Sequence, residues 1–431
     1  MRSTDYQSRW LRMAKAMKPN TLVKALSGAP LIWSMLADDG TPATTIHRMF
    51  SQQCWREDGI AGGAVLVAGA VFMLPTLMVA ATVYTSRCGA RVRIDTGKSR
   101  PRQWVEQVTL GVRLAVPPPW YYIFELYRPT HYQRAAEYLY RSETKSGIYD
   151  MLRRQRGCHE STEGLRDKAL FGIRCREHGL PVVDTLATAR DGVIEGIDAL
   201  PDADLFFKPI KGAGGRGASR WIFIGDNRYR ASDGQVVTKE VLQAHLCELS
   251  RDERYLVRRY VTAEPTLSDL TPGALSTVRV VTCLDATGTP EATHAVFRMA
   301  SSRDVVVDNF HAGGVASSVD LATGTLGMAT DLGLSADSRW WSTHPTTGAP
   351  ILGRRLPHWE AVRDLATRAH CAFGDQVAIG WDIAILENGP CLIEGNKSPD
   401  LDIVQRTSRT PAGNSRLGDL LAQHLTNAFA T

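Results

Sequence analysis

The chain has 431 residues, room for two or three domains around a large core, and its 44 % apolar, 22 % charged and 8 % aromatic content is that of an ordinary globular protein. Its eight cysteines form no CxxC pair and no Cys/His cluster at zinc spacing, which argues against a zinc module and for a reducing compartment. The net charge of +5 is too small to argue for nucleic acid, and no DNA or RNA recognition motif, internal repeat or low-complexity tract accompanies it.

That charge is unevenly placed. Residues 1–150 hold 19 Lys and Arg against 11 Asp and Glu, an excess of +8, whereas the remainder holds 31 against 34, or −3. Within the basic part, residues 59–86 carry no charge at all, a length sufficient to span a bilayer. The stretch begins too far into the chain for an ordinary cleavable signal peptide. Six basic residues follow it (Arg87, Arg91, Arg93, Lys98, Arg100, Arg102) with Asp95 opposing, while upstream Arg48 and Arg56 sit beside Glu57 and Asp58. The positive-inside rule puts the C-terminal side in the cytoplasm. Gly and Ala content and Pro75 fit a kinked helix, a re-entrant pair of short helices or a buried hairpin of a soluble helical domain equally well. The basic patch could also contact anionic headgroups on the inner face of a membrane without insertion.

Pro117-Pro118-Pro119 is a break, and the aromatic run Trp120-Tyr121-Tyr122-Ile123-Phe124-Glu125-Leu126-Tyr127 suits a core or a membrane interface. Residues 134–156 have helical spacing, with Tyr138, Leu139, Ile148, Met151 and Leu152 apolar, and read as a helical cap. A second helix is expected over 162–178, carrying Lys168 and stopped by Gly179 and Pro181.

Leu205-Phe206-Phe207-Lys208-Pro209 then reads as a short strand bearing a lysine. The loop after it contains Gly212, Gly214, Gly215 and Gly217, and another strand begins at Trp221. A glycine-rich turn between strands lets backbone N–H groups close over phosphate oxygens, because no Cβ blocks the approach. This is neither a Walker A loop, which opens a helix, nor GxGxxG spacing. Tyr255-Leu256-Val257-Arg258-Arg259-Tyr260-Val261 is an apolar strand whose backbone could face a purine, with Glu264 close behind.

Ser276-Thr277-Val278-Arg279-Val280-Val281-Thr282 places an arginine among β-branched residues. Such an arginine is either part of a structural ion pair or a clamp for transferring phosphate oxygens, and Arg298 is a second candidate. Farther on, two apolar runs flank Asn388-Gly389 and read as a hairpin with its turn there. Asp382 opens its first strand, and Glu394 and Asn396 end the second on one face. Three oxygen-bearing side chains can then meet around a hard cation such as Mg2+.

Taken together, "TVRVVT", "DNFHAGGVASSVD", "GWDIAI" and "LIEGN" resemble the sugar-transfer-associated branch of the ATP-grasp superfamily, related to α-L-glutamate ligase-like proteins. The resemblance covers residues from about 138 to the C-terminus. It implies an α+β, two-lobed ATP-grasp fold preceded by a helical region: residues 1–135 helical, 136–262 the cap and nucleotide lobe, 263–431 the metal lobe. It further implies ATP held by Lys168, Lys208, the flap glycines Gly212, Gly214, Gly215 and Gly217, and the hinge residues Arg259 and Val261. Glu264 would take the ribose. Mg2+, or Mn2+ in its place, would sit on Asp382, Glu394 and Asn396, with Arg279 and Arg298 on the transferred phosphoryl group. One departure is Arg258, where relatives commonly carry Glu or Gln at the hinge. Asn309, Gly313 and Gly314 would shape a loop facing the acyl site, and His311 is either a substrate contact or structural. The implied reaction is cytoplasmic, ATP-dependent ligation of a small-molecule carboxylate to an amine, peptide or sugar. A kinase acting on a small-molecule hydroxyl is the alternative, and a non-catalytic ATP-binding scaffold a third.

Overall fold

A computed structural model of the chain describes residues 28–57, 59–211, 216–302 and 310–429. Gly212, Gly214, Gly215 and Asn309 lie outside the described residues. The chain forms two compact units: Met1–Asp150 with Leu334–Asp337 and Arg409–Thr431, and Met151–Gly333 with Ser338–Ser408.

The first unit is helical. Its main elements are α1 (Ala29–Ser34), α2 (Pro42–Glu57), α3 (Gly59–Thr96) and α4 (Arg100–Leu114), with the C-terminal helix Arg416–Phe429 packed on α2. The apolar stretch is thus one continuous helix that tolerates Pro75 in its interior, not a re-entrant pair or a hairpin. It stops where Gly97 takes φ +71°, and Ser99 then caps α4 by accepting from the Arg102 N–H. Residues 120–127 are core rather than interface: Tyr121, Tyr122, Phe124 and Tyr127 are buried, as are Trp33, Phe50, Tyr138 and Tyr140. Inside this aromatic cluster His47 Nδ1 lies 2.7 Å from Glu143 Oε1. The helix expected over 134–156 is instead a chain of short turns, with a π-turn at Thr144–Ile148, leading into a final helix at Tyr149–Arg156. Gly147 explains the interruption: a Cβ there would meet Phe50 at 2.2 Å, so the backbone closes directly on that ring.

The second unit holds two antiparallel sheets. Their strands are β1 (Thr185–Arg190), β2 (Val193–Glu195), β3 (Leu205–Pro209), β4 (Ser219–Phe223), β5 (Arg228–Ala231), β6 (Val236–Thr238) and β7 (Tyr255–Arg259) in the first. The second contains β8 (Thr277–Leu284), β9 (Pro290–Met299), β10 (Val315–Val319), β11 (Leu326–Thr330), β12 (Trp340–Trp341), β13 (Ala378–Leu386) and β14 (Gly389–Asn396). The orders are β2-β1-β7-β3-β4-β5-β6 and β12-β11-β10-β9-β8-β13-β14. Helices pack with them, among them α5 (Lys168–Glu177), α6 (Lys239–Asp252), α7 (Trp359–Ala372) and α8 (Leu401–Ser408). Leu242 and Leu246 of α6 join the core of the first sheet, and Val362, Leu365, Ala366 and Ala369 of α7 join that of the second. The i, i+3, i+4, i+7 spacing of the α7 positions makes one buried stripe.

Two sequence expectations change in detail. The helix expected over 162–178 breaks at Asp167, which is extended at φ −92°, ψ 111°, and whose side chain accepts from the N–H groups of Ala169 and Leu170. Asp167 is the N-cap, and Lys168 therefore becomes the first residue of α5. In the C-terminal hairpin the two-residue turn is Glu387-Asn388, because Gly389 already pairs with Leu386; Gly389 alone takes a positive φ, +113°.

Candidate active site

β13 and β8 lie side by side with Asp382 directly opposite Arg279, and β13 and β14 pair so that Asp382 is also opposite Glu394. Arg279, Asp382 and Glu394 thus sit in one row across the sheet. Asp382 is buried, and both of its oxygens are engaged: Arg279 Nε donates to Oδ1, Arg279 Nη2 to Oδ2 at 2.9 Å, and Arg298 Nη2 lies 3.1 Å from Oδ2. Arg298 is oriented by Thr277, whose Oγ1 accepts from Nη2 at 2.7 Å and Nε at 3.2 Å. The ion-pair reading of Arg279 is the one the structure shows.

Glu394 is differently placed. Its side chain keeps 30 % of its surface exposed, and Oε2 accepts from Lys208 Nζ at 3.0 Å. Burial works against its charge, but Lys208 first, then Lys168 and Arg279, outweigh that and hold the carboxyl well below the usual range. Lys208 comes from β3 and Glu394 from β14, so this pair joins the two sheets. The spacer Gly395 faces the core: a Cβ there would meet Leu165 at 2.5 Å and Trp381 at 2.9 Å. Close packing on one side of β14 therefore dictates the glycine between Glu394 and Asn396.

Asn396 carries a buried Nδ2 that has no hydrogen-bond partner. An orphaned buried amide is costly unless a ligand completes it. Among the described residues no group of three His, Cys, Asp or Glu side chains could hold a metal ion. The set available is two carboxylates and an amide oxygen. That donor set fits Mg2+, which takes few protein oxygens and leaves its other positions to water and phosphate.

Lys168, on the first turn of α5, is buried and donates to the Ile210 carbonyl at 3.1 Å. Burial, then the nearby charge of Lys208, lowers its pKa to about 8. Arg258 is buried too; its Nη2 donates to the Lys168 carbonyl at 3.4 Å, its Nε has no partner, and burial depresses its pKa. β7 is flanked by β1 and β3, which consume its backbone; the Tyr260 N–H donates to Asp204 O. Arg259 closes the ladder opposite Leu205, and Val261 is among the first residues past it. Glu264 uses its carboxylate locally, accepting from the Thr266 N–H at 2.9 Å to cap a short 3-10 turn. Of the flap, Gly217 is described: it takes φ +74°, and a Cβ would meet Pro209 at 2.9 Å.

Three partners have no signature in the sequence. Asp400 Oδ2 lies 2.9 Å from His311 Nε2, Thr277 orients Arg298, and the Ile210 carbonyl anchors Lys168. The first joins residues 89 positions apart, and no local pattern announces it. Gly313, just after His311, takes φ +98° and its carbonyl accepts from Ser301 Oγ at 2.6 Å.

Two antiparallel sheets are joined by the Lys208–Glu394 pair, an arrangement that fits the ATP-grasp class. The family model for sugar-transfer associated ATP-grasp proteins matches residues 152–412, and the chain belongs to that family. No curated protein matches it. Among solved structures it is similar to D-alanyl-alanine synthetase A from Vibrio cholerae, at 13 % identity, TM-score 0.39, covering 63 % of this chain and 67 % of that one. It is also similar to an L-amino acid ligase from Bacillus licheniformis, at 11 % identity, TM-score 0.36, covering 63 % and 51 %. A D-alanine–D-alanine ligase from Bacillus anthracis gives 13 %, TM-score 0.35, and 62 % and 69 %. The matched part thus spans between about half and about two thirds of those chains.

Proposed function

We propose that the chain is an ATP-dependent carboxylate–amine ligase working through an acyl-phosphate. The observation that carries this reading is the row Arg279, Asp382, Glu394 joined to Lys208 of the facing sheet. In the proposed scheme residues 136–262 form the nucleotide lobe and 263–431 the metal lobe, with 1–135 as a helical region before them. Lys168, Lys208 and the flap hold the phosphates of ATP, the segment at Arg259 and Val261 meets the base, and Glu264 meets the ribose. Asp382, Glu394 and Asn396 would hold Mg2+, with Mn2+ as a substitute, which when bound offsets phosphate charge. Arg279 and Arg298 stabilise the γ-phosphoryl group as a substrate carboxylate oxygen attacks it and ADP leaves. An amine, from a small molecule, peptide or amino sugar, then displaces phosphate. The proposed setting is the cytoplasm, with contact to the inner face of a membrane, a contact supported by the basic excess of residues 1–150.

The deciding experiment incubates the full chain with ATP, Mg2+ and panels of carboxylates and amines, following ADP release and product mass. Free phosphate together with a hydroxamate on adding hydroxylamine is the expected result. A phosphorylated product that survives isolation would instead identify a kinase, and no ADP with any acceptor would mean a scaffold.

A pH dependence follows from Lys168. A lysine with a pKa near 8 is charged below that pH and neutral above it, so the attraction for phosphate is lost on going up. Affinity of the metal-free chain for ADP, measured by calorimetry from about pH 7 to about pH 9, is expected to fall through that range. Lys168→Met should weaken binding at the lower pH and flatten the profile.

A further inference from the structure

Residues 59–86 contain no charged side chain, so α3 is apolar around its whole circumference over that length. A helix of that kind belongs in a core or a membrane. Among the described residues, protein covers a single stripe of it, at Leu66, Leu77, Ala81, Thr85, Cys88 and Val92. On the other side Val67, Val71, Phe72, Leu74, Met78, Val79 and Val83 face solvent, with Val71 70 %, Phe72 62 % and Val79 66 % exposed. These residues extend over about 25 Å of helix. Exposed Arg87, Arg93, Arg100, Arg102 and Arg113 lie on α3 and the adjoining α4; the acids between residues 59 and 113 are Asp95 and Glu106, the latter paired with Lys98 and Arg102. The chemical complement of this surface is an apolar layer bordered by anions. A second copy would present the same arginines instead of acids.

The packing also decides the orientation. α4 lies along the C-terminal half of the apolar stretch: a Cβ at Gly111 would meet Leu77 at 2.5 Å, Trp104 Nε1 donates to Thr82 Oγ1 at 3.0 Å, and Gln107 Nε2 donates to Thr85 Oγ1 at 2.7 Å. Arg113 is two residues from Gly111. A spanning α3 would carry Arg113 and the polar side of α4 into hydrocarbon, which is strongly unfavourable. We propose that α3 lies in the plane of an anionic bilayer, its solvent-facing side sunk to the headgroup–acyl boundary and the surrounding arginines on lipid phosphates. This deepens the membrane contact proposed above and is independent of the ligase chemistry.

The test uses the full chain, without nucleotide, and sedimentation with vesicles of phosphatidylcholine alone or mixed with phosphatidylglycerol. Binding to the mixed vesicles should be at least about tenfold tighter and should weaken with salt. Combined Val71→Ser, Phe72→Ser and Val79→Ser should lower it by about tenfold or more, and Arg87→Gln with Arg93→Gln by a similar factor. Neither set should change the rate of ADP formation in solution, which separates failure here from failure of the ligase reading. In sealed vesicles, epitope tags at both termini should be digested from the same side. Tags on opposite sides would overturn the in-plane arrangement in favour of a span. Absence of binding to either vesicle, or a concentration-dependent dimer abolished by the serine variant, would overturn the membrane proposal.

Discussion

Glu394→Gln is expected to lower ADP formation by on the order of a thousandfold while leaving the thermal midpoint nearly unchanged. The glutamine keeps the shape but neither pairs as an ion with Lys208 nor offers a charged ligand to a cation. Its effect on stability should be small because the pair it breaks is partly exposed, with 15 % and 30 % of the two side chains open, and such pairs contribute about 1 kcal/mol or less. Steady-state ADP release and a melting curve on the same preparation check both halves. Wild-type turnover in this variant would remove Glu394 from the metal site, and a collapsed melting curve would make the residue structural.

Arg279→Met should do both kinds of damage. Arg279 and Asp382 are buried and directly opposite on neighbouring strands, so losing the guanidinium leaves Asp382 with Arg298 alone. Removing one member of a buried ion pair costs about 3 to 5 kcal/mol, and the remaining arginine should hold the loss to about 3 kcal/mol. Denaturant unfolding measures this, and turnover should fall by about a hundredfold or more. Arg279→Lys restores charge but not the two-pronged geometry, so it should recover part of the stability and little of the activity. A methionine variant as stable as the parent would mean that the pair contributes nothing to the fold.

The features legible in the sequence are those carried by short-range pattern. Two apolar runs around a turn mark β13 and β14, and period two alone puts Glu394 and Asn396 on one face, because successive strand residues point to opposite sides. Likewise the glycine-rich flap is legible between its two strands, since only glycine relieves the crowding that Gly217 shows against Pro209. Boundaries that differ from expectation have equally local causes. Asp167 caps α5 instead of continuing a helix, and Gly389 begins a strand instead of completing a turn.

The hairpin at 380–396 and the order of motifs around it are thus determined by the sequence, and so is the absence of charge along residues 59–86. Tertiary structure alone decided what those features touch. Asp382 meets Arg279 across 103 positions, Lys208 meets Glu394 across 186, and Asp400 meets His311 across 89; strand register and loop closure, not neighbouring residues, bring such groups together. The same holds for α3. Composition makes it apolar all round, but only the packing of its neighbours reveals which stripe is covered and which side is left open.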